Sequence, residues 1–293
     1  MAKKKLDGVK IQKISKTLQL IDDYTTEAKS KNLIWATTEC DITVIRNIMR
    51  AHKERTGESI SFTSFLITII ARVAEQYKYP INTLRKGRKQ FYTFDDVDVL
   101  TNIERVVDGV KKPTNYTVRN AQTKTLKEIT DEIRTAQNKK KVELTSSGKG
   151  ASKLLKIFTK SPRFLRRLMI HYIFTHPMLK KQFLGTIGVT SVGMFGIGMG
   201  KMIHITPHTL SLGVGGIEKL AFVLDGKIVE RGFLGITLAM DHAIIDGGPA
   251  ARFFHDFRYT LEYRCIDQDW CFKSFGFTDT ELAEFAKDVG HRR

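Results

Sequence analysis

The sequence predicts an α/β fold, a two-layer sandwich in which helices cover a mixed β-sheet. Helical and strand-like patterns are mixed along the 293 residues without the regular βαβ alternation of a parallel sheet. Hydrophobic residues make up 42% of the chain, which is enough to bury a full core. No internal repeat with a period of about 20–50 residues is visible, which excludes a solenoid or propeller.

The N-terminal third alternates amphipathic helices with a strand, and caps or glycines bound each element. In chain order we expect a loose tail (1–10), a helix with Ile11, Ile14, Leu18 and Ile21 on one face, a strand (33–40), a helix capped by Asp41 and stopped at Gly57, and a helix opened by Ser61 that ends before Pro80. The last helix is almost entirely apolar in its middle, so we expect it at the centre of the core.

The remainder of the chain shifts from short strands to a helix and then to glycine-rich strands. We expect short strands within 82–104, a helix beginning at Thr123 or Thr125, strands at 185–195, 209–217 and 233–240, a hairpin turn at 224–227, and a last helix from Gly248-Pro249 through Phe257. The domain boundaries that follow are 11–264 for the main domain and 265–293 for a C-terminal extension.

The surplus of positive charge is concentrated in one segment. The chain carries a net charge of +17, and +11 of it lies between Asn138 and Leu184. The pattern there predicts a basic amphipathic helical insert (138–184). Its signals are apolar residues at helical spacing (Leu154, Leu155, Ile157, Phe158), Ser161 as an N-cap with Pro162 in the first turn, a second helix with Leu165, Leu168, Met169, Tyr172 and Ile173 on one face, and His176-Pro177 as its end.

Three interpretations of this insert stay open at the level of sequence. Its apolar face packs on the domain while its lysines are solvated, or residues 151–184 contact a membrane surface or lipid, or they contact a protein partner. Specific nucleic-acid binding is disfavoured, because the segment has few aromatics placed for stacking and matches no nucleic-acid-binding module.

Other features are typical of a cytoplasmic protein. Three unpatterned cysteines (Cys40, Cys265, Cys271) fit a reducing compartment and idle thiols, and the N-terminus lacks the apolar run of a secretory signal. No apolar run is long enough to cross a bilayer. We expect no metal site, since the histidines, among them His204 and His208, have no acidic partners at ligand spacing.

One constellation indicates catalysis. A predicted buried strand (235–240) runs directly into the sequence DHAIIDGG at 241–248, which precedes a helix. The imidazole of His242 can act as a general base near neutral pH, and the carboxylate of Asp246 in the same turn can brace the loop by pairing with a basic side chain. Gly247 and Gly248 permit the sharp turn into the helix.

This stretch resembles the active-site motif of the CoA-dependent acyltransferase superfamily, which includes chloramphenicol acetyltransferase and the acyltransferase cores of 2-oxo-acid dehydrogenase complexes. Their motifs read HHAxxDG and DHRxxDG respectively, so the sequence keeps Ala243 of the first and Asp241 of the second. The block GTIGVTSVGMFG (185–196) is similar to the GTFTISNLGMFG strand of the dehydrogenase-complex cores. Further matches are Gly213-Val214-Gly215, Asp225-Gly226 and ISFTSFL (60–66), all in the same order within 11–264.

The resemblance implies roles for four residues. His242 would deprotonate a thiol, hydroxyl or amine acceptor for attack on an acyl thioester, and Asp246 would be structural, paired with a basic side chain. The expected arginine is not identifiable; Lys13 and Lys16 lie where it would be sought. The family serine that binds the tetrahedral oxyanion falls on Thr190, while Ser191 should point to the opposite face of the strand.

The resemblance also implies an assembly. Members of the superfamily are trimers, or larger assemblies of trimers, with CoA entering a channel between subunits from one end and the second substrate from the other. The closest resemblance is to the dihydrolipoamide acyltransferase core as a stand-alone domain, with CoA or acyl-CoA as substrate, a small-molecule or lipid acceptor, and no lipoyl group expected on this chain. A non-catalytic scaffold or binding subunit is the alternative. The insert lies before the Thr190 strand, so we expect it to reshape the acceptor side of the channel.

Overall fold

The computed structural model of the chain describes residues 12–107, 110–138, 157–158, 161–191, 198, 200–224 and 226–287. The predicted tail (1–10) and most of the first predicted helix of the basic insert, including Leu154 and Leu155, lie outside the described residues.

The elements alternate between helices and strands in the predicted mixture. They are α1 (Lys16–Ala28), β1 (Leu33–Asp41), α2 (Thr43–Thr56), α3 (Phe62–Gln76), α4 (Lys78–Ile81), β2 (Thr83–Lys86), β3 (Gln90–Thr93), β4 (Val99–Val107), β5 (Val110–Val118), α5 (Leu126–Asn138), α6 (Arg163–Thr175), α7 (Pro177–Leu184), β6 (Ile187–Ser191), β7 (Leu210–Leu224), β8 (Lys227–Asp241), α8 (Gly247–Tyr259) and α9 (Asp279–Ala286).

Six strands form the central sheet in the order β1-β8-β7-β6-β4-β5, and β2 pairs with β3 in a separate hairpin. The β7–β6 and β6–β4 pairs are parallel, whereas β1–β8, β8–β7 and β4–β5 are antiparallel. The predicted α/β fold with a mixed sheet is therefore confirmed. The hairpin that joins β7 to β8 turns between Leu224 and Lys227, as the sequence predicts.

Two local signals at the helix ends act as expected. The hydroxyl of Ser61 accepts a hydrogen bond from the backbone N–H of Ser64 and caps α3, and Gly57 ends α2 in the left-handed region at φ 76°. The cap predicted at Asp41 is wrong by one residue, because Ile42 is the N-cap of α2; the Asp41 carboxylate accepts hydrogen bonds from both the backbone and the hydroxyl of Thr43. The main hydrophobic core lies between one face of the sheet and helices that include the fully buried middle of α3.

A second, smaller hydrophobic cluster joins α1 to α6. The apolar face predicted for α6 packs only in part on this cluster, because Leu165, Leu168 and Tyr172 are exposed. The buried residues of α6 are Arg166, Ile170 and Phe174. The predicted N-cap is also different: Pro162 precedes the helix, and the Ser161 hydroxyl donates to the Ile157 carbonyl.

A buried ion pair explains why Arg166 lies on the buried side of α6. Arg166 Nε donates to Asp23 Oδ2 at 2.5 Å, with side chains that are only 4% and 1% exposed, and Arg163 Nε donates to the other oxygen of Asp23. Charged groups this buried need a partner, and α1 supplies it. The lysines of the insert are not all solvated either, because Lys180 is buried and its Nζ donates to the Pro207 carbonyl at 2.5 Å.

Residues 265–287 pack against the same core as the main domain, with Cys265, Cys271 and Phe272 fully buried. All three cysteines are free and buried. Within the described part of the chain, no helix is long and apolar enough to cross a membrane. No cluster of three or more potential metal ligands occurs among the described residues either.

Candidate active site

His242 stands at the point where β8 leaves the sheet. Its backbone N–H donates to the Asn32 carbonyl at 2.8 Å, and the following turn closes through hydrogen bonds from Ile244 and Ile245 to the Asp241 carbonyl. The backbone is thus fixed on both sides, while the imidazole is 49% exposed. The side chain is held at a defined place on the surface and stays accessible to a substrate.

Asp241, not Asp246, provides the ion-pair brace of this loop within one subunit. Its buried carboxylate accepts a hydrogen bond from Lys31 Nζ at 2.8 Å and another from the backbone N–H of Ala243 at 3.1 Å. The two contacts tie the loop to the chain just before β1. Lys31 thus pairs with Asp241, and not with Asp246, for which the resemblance implies an arginine partner.

Asp246 is 87% exposed and precedes the first turn of α8, where a negative charge is favourable near the helix N-terminus. Its Oδ1 lies 3.8 Å from His242 Nδ1. Among the described residues no lysine or arginine pairs with it, and neither Lys13 nor Lys16 does so. Attraction between this carboxylate and Nδ1–H would leave His242 Nε2 free to accept a proton.

Thr190 and Ser191 are at the end of β6, and they alternate in direction as expected for a strand. Ile187 and Val189 belong to the main core, whereas Gly188 and Thr190 line a cavity on the other face of the sheet. Ser191, one residue further, is in register with the core side. The hydroxyl of Thr190 has no hydrogen-bond partner among the described residues, so it is available as a donor.

Within one subunit, Thr190 and His242 are far apart. Thr190 pairs with Gly213, which pairs with Thr237, and His242 follows Thr237 by five residues. Two strand spacings of about 4.8 Å and five residues of about 3.3 Å each place the two Cα atoms roughly 20 Å apart. A single subunit therefore does not bring the predicted base and the predicted oxyanion donor to the same substrate.

The cavity beside Thr190 has a volume of about 490 Å³. The sheet provides its floor, and α1, α6 and α7 provide much of its wall. This volume lies in the range of about 300–1,000 Å³ that is typical of pockets for small molecules.

Two histidines, His204 and His208, lie on this floor. His204 Nδ1 is 3.5 Å from the Met202 carbonyl, and because a carbonyl oxygen can only accept a hydrogen bond, Nδ1 carries the proton. His204 Nε2 therefore accepts a hydrogen bond from the Ser211 hydroxyl at 2.9 Å. His208 Nε2 donates to the Leu184 carbonyl at 2.8 Å, and burial lowers the pKa of His208 to about 3. Burial also lowers the pKa of His204, and both imidazoles are therefore neutral near pH 7.

Glycines make room for these rings. A Cβ at Gly188 would come within 2.7 Å of His208 Nδ1 and 2.9 Å of Ser211 Oγ, and one at Gly213 would come within 2.7 Å of His204 Nδ1. Only glycine allows the imidazoles to approach the strands so closely. Two glycines inside buried strands were the signal in the sequence that could have indicated this arrangement.

Comparison with known proteins finds a match to a family of catalytic domains. Residues 180–265 match the family model described as 2-oxoacid dehydrogenases acyltransferase (catalytic domain). A curated relative is the dihydrolipoyllysine-residue acetyltransferase component of the pyruvate dehydrogenase complex of Rickettsia prowazekii, 24% identical over 228 residues, which cover 76% of this chain and 47% of the relative. The match thus spans about half the length of that relative.

Solved structures give the same fold. A probable dihydrolipoamide acetyltransferase from Listeria monocytogenes superposes with a TM-score of 0.61 at 21% identity, covering 88% of this chain and 96% of the other. A second structure is a dihydrolipoamide acetyltransferase from Azotobacter vinelandii, which was investigated for the roles of a serine, a histidine and an asparagine in its mechanism. It superposes with a TM-score of 0.61 at 18% identity, covering 88% of this chain and 93% of the other. Residues 180–265 thus match the catalytic-domain model of the 2-oxoacid dehydrogenase acyltransferases, and the described chain has the fold of solved dihydrolipoamide acetyltransferases.

Proposed function

We propose that this chain is a CoA-dependent acyltransferase in which His242 is the general base. The observation that carries the proposal is the His242 loop: a histidine with an anchored backbone and an exposed imidazole, at the end of a buried strand, inside the segment that matches the acyltransferase family. In the Azotobacter relative the investigated histidine and asparagine are four residues apart, the spacing of His242 and Asp246 here.

The proposed site lies between subunits of a trimer. One subunit leaves about 20 Å between Thr190 and His242, so a site that uses both must combine two subunits. Apolar side chains in and just before α1 favour such an interface, since Ile14, Leu18 and Ile21 are all more than half exposed in the single subunit. A solved structure of the same fold is the cubic core of a pyruvate dehydrogenase complex, and cubic symmetry contains threefold axes.

The chemistry follows from these positions. His242 Nε2 removes the proton from the acceptor thiol, hydroxyl or amine, which attacks the carbonyl carbon of the acyl thioester. The carbonyl oxygen becomes an oxyanion, and the Thr190 hydroxyl of the adjacent subunit donates a hydrogen bond to it. As the tetrahedral intermediate collapses, the carbon–sulfur bond breaks and the imidazolium returns its proton to the CoA thiolate. The products are acylated acceptor and free CoA.

The positive charge of the chain suits this substrate. CoA carries phosphates, and a positive protein field raises the association rate of an anionic ligand. The acceptor is a small molecule or lipid with a thiol, hydroxyl or amine group.

Replacing Thr190 tests the oxyanion role. Thr190→Val keeps the shape but removes the donor, and we expect kcat to fall about 10²–10³-fold with little change in KM for acyl-CoA. Thr190→Ser keeps the hydroxyl and should retain most of the activity. The measurement is formation of free CoA from acyl-CoA, separated from the acceptor by chromatography, with a dithiol acceptor such as dihydrolipoamide.

Equal rates for Thr190→Val and wild type would contradict the oxyanion role. If the wild type neither turns over acyl-CoA nor binds CoA by calorimetry, the scaffold alternative replaces the proposed function.

A further inference from the structure

The cavity beside Thr190 has two chemically different sides. Its helical wall is apolar, and the contributing side chains come from α1, α6 and α7 and the segments next to them. They include Leu20, Tyr24, Ile170, Ile173, Phe174 and Phe183. The floor on the sheet is polar: Thr190 lies on β6, Ser211 on the adjacent β7 and His204 in the segment before β7, with Asn102 of β4 and Asn115 of β5 beyond them.

The hydrogen bonds of the floor leave the Thr190 hydroxyl available. The Ser211 hydroxyl donates to His204 Nε2, and His204 Nδ1–H points to a backbone carbonyl. The Thr190 hydroxyl has no partner among the described residues. A carbonyl oxygen that lies beside Thr190 can therefore accept a hydrogen bond from its hydroxyl.

From this arrangement we propose that the cavity is an acyl pocket for an apolar acyl group distinctly longer than acetyl. The proposal rests on the proposed function, because Thr190 marks the position of the reacting carbonyl. The acyl chain is bonded to that carbonyl carbon, so it must begin within a few ångströms of the Thr190 hydroxyl. The space open to it there is bounded by aliphatic and aromatic side chains.

Size and polarity select the substrate class. The two carbons of an acetyl group fill only a small part of about 490 Å³, and a succinyl carboxylate would meet an apolar wall, with no lysine or arginine among the described lining residues. An uncharged acyl chain of medium length would bury its methylenes there, and each buried methylene is favourable.

The helix α6 gives the basic insert a specific role in this pocket. Ile170, Ile173 and Phe174 line the cavity, and the ion pair of Arg166 with Asp23 fixes the helix against α1. The insert thus supplies one wall of the site, while its exposed basic side chains stay outside.

The test compares acetyl-CoA and octanoyl-CoA in wild type, Ile173→Trp and Leu168→Trp. Ile173 lines the cavity, whereas Leu168 on the same helix is exposed and does not, so the second variant is the matched control. We expect wild type to prefer octanoyl-CoA by at least about tenfold in kcat/KM. Ile173→Trp should remove that preference by lowering octanoyl transfer, and Leu168→Trp should leave it unchanged.

A direct binding measurement separates this inference from the proposed function. The probe is a fluorescent fatty acid, 11-dansyl-undecanoate. We expect it to bind to the wild type and octanoate to displace it, and Ile173→Trp should weaken probe binding at least about tenfold. If no acyl-CoA is turned over, but the probe binds wild type and binds Ile173→Trp more weakly, the proposed function is contradicted and the apolar pocket is supported. The pocket is overturned if the probe does not bind, if Ile173→Trp binds it like wild type, or if acetyl-CoA is used as well as octanoyl-CoA.

Discussion

Replacing His242 with alanine is expected to lower kcat for acyl transfer about 10²–10⁴-fold, the range typical for loss of a general base. The backbone of this residue is held by the Asn32 carbonyl, and the loop is braced by Asp241 and Lys31, so neither contact depends on the imidazole. Folding and CoA affinity should therefore be unchanged. The measurement is thiol release from acyl-CoA, combined with calorimetric titration of CoA.

His255→Ala is the matched control, since His255 is another exposed histidine that pairs with an adjacent carboxylate, on α8. We expect it to retain wild-type turnover. Equal rates for His242→Ala and His255→Ala would exclude His242 as the base.

Replacing Asp23 with alanine is expected to destabilise the α1–α6 unit by about 3–5 kcal/mol, because it leaves Arg166 charged, buried and unpaired. Amide hydrogen exchange of α6, read beside thermal unfolding of the whole protein, measures this directly. We expect faster exchange over 163–175 and a lower Tm.

Asp22→Ala is the neighbouring control. Asp22 pairs with Arg163 at 3.0 Å, but both side chains are more than 60% exposed, so the pair contributes about 0–1 kcal/mol. If the two variants exchange at the same rate, the buried ion pair does not hold α6 in place.

Much of the fold could be predicted because its signals are local. Caps such as Ser61 and stops such as Gly57 depend on a few neighbouring residues, and both lie where the sequence places them. The burial of Arg166 in α6 could not be predicted for a non-local reason: its partner is on α1, 143 residues away. Periodicity alone assigns an arginine to the solvent side.

The same contrast applies to the site. The motif around His242 and the strand that carries Thr190 are readable separately, but the distance between them depends on the pairing of three strands. The pair formed by His204 and Ser211 was missed, because histidine rings over glycines on buried strands are visible only once the strand register is known.

The central claim is that one active site combines His242 of one subunit with Thr190 of another. Mixing the two inactive variants, His242→Ala and Thr190→Val, in equal amounts before assembly tests it most directly. Random trimers then contain sites in which both residues are intact, and we expect about one quarter of wild-type activity. Activity no greater than the average of the two separate variants would contradict the account, because it would place both residues in the same subunit's site.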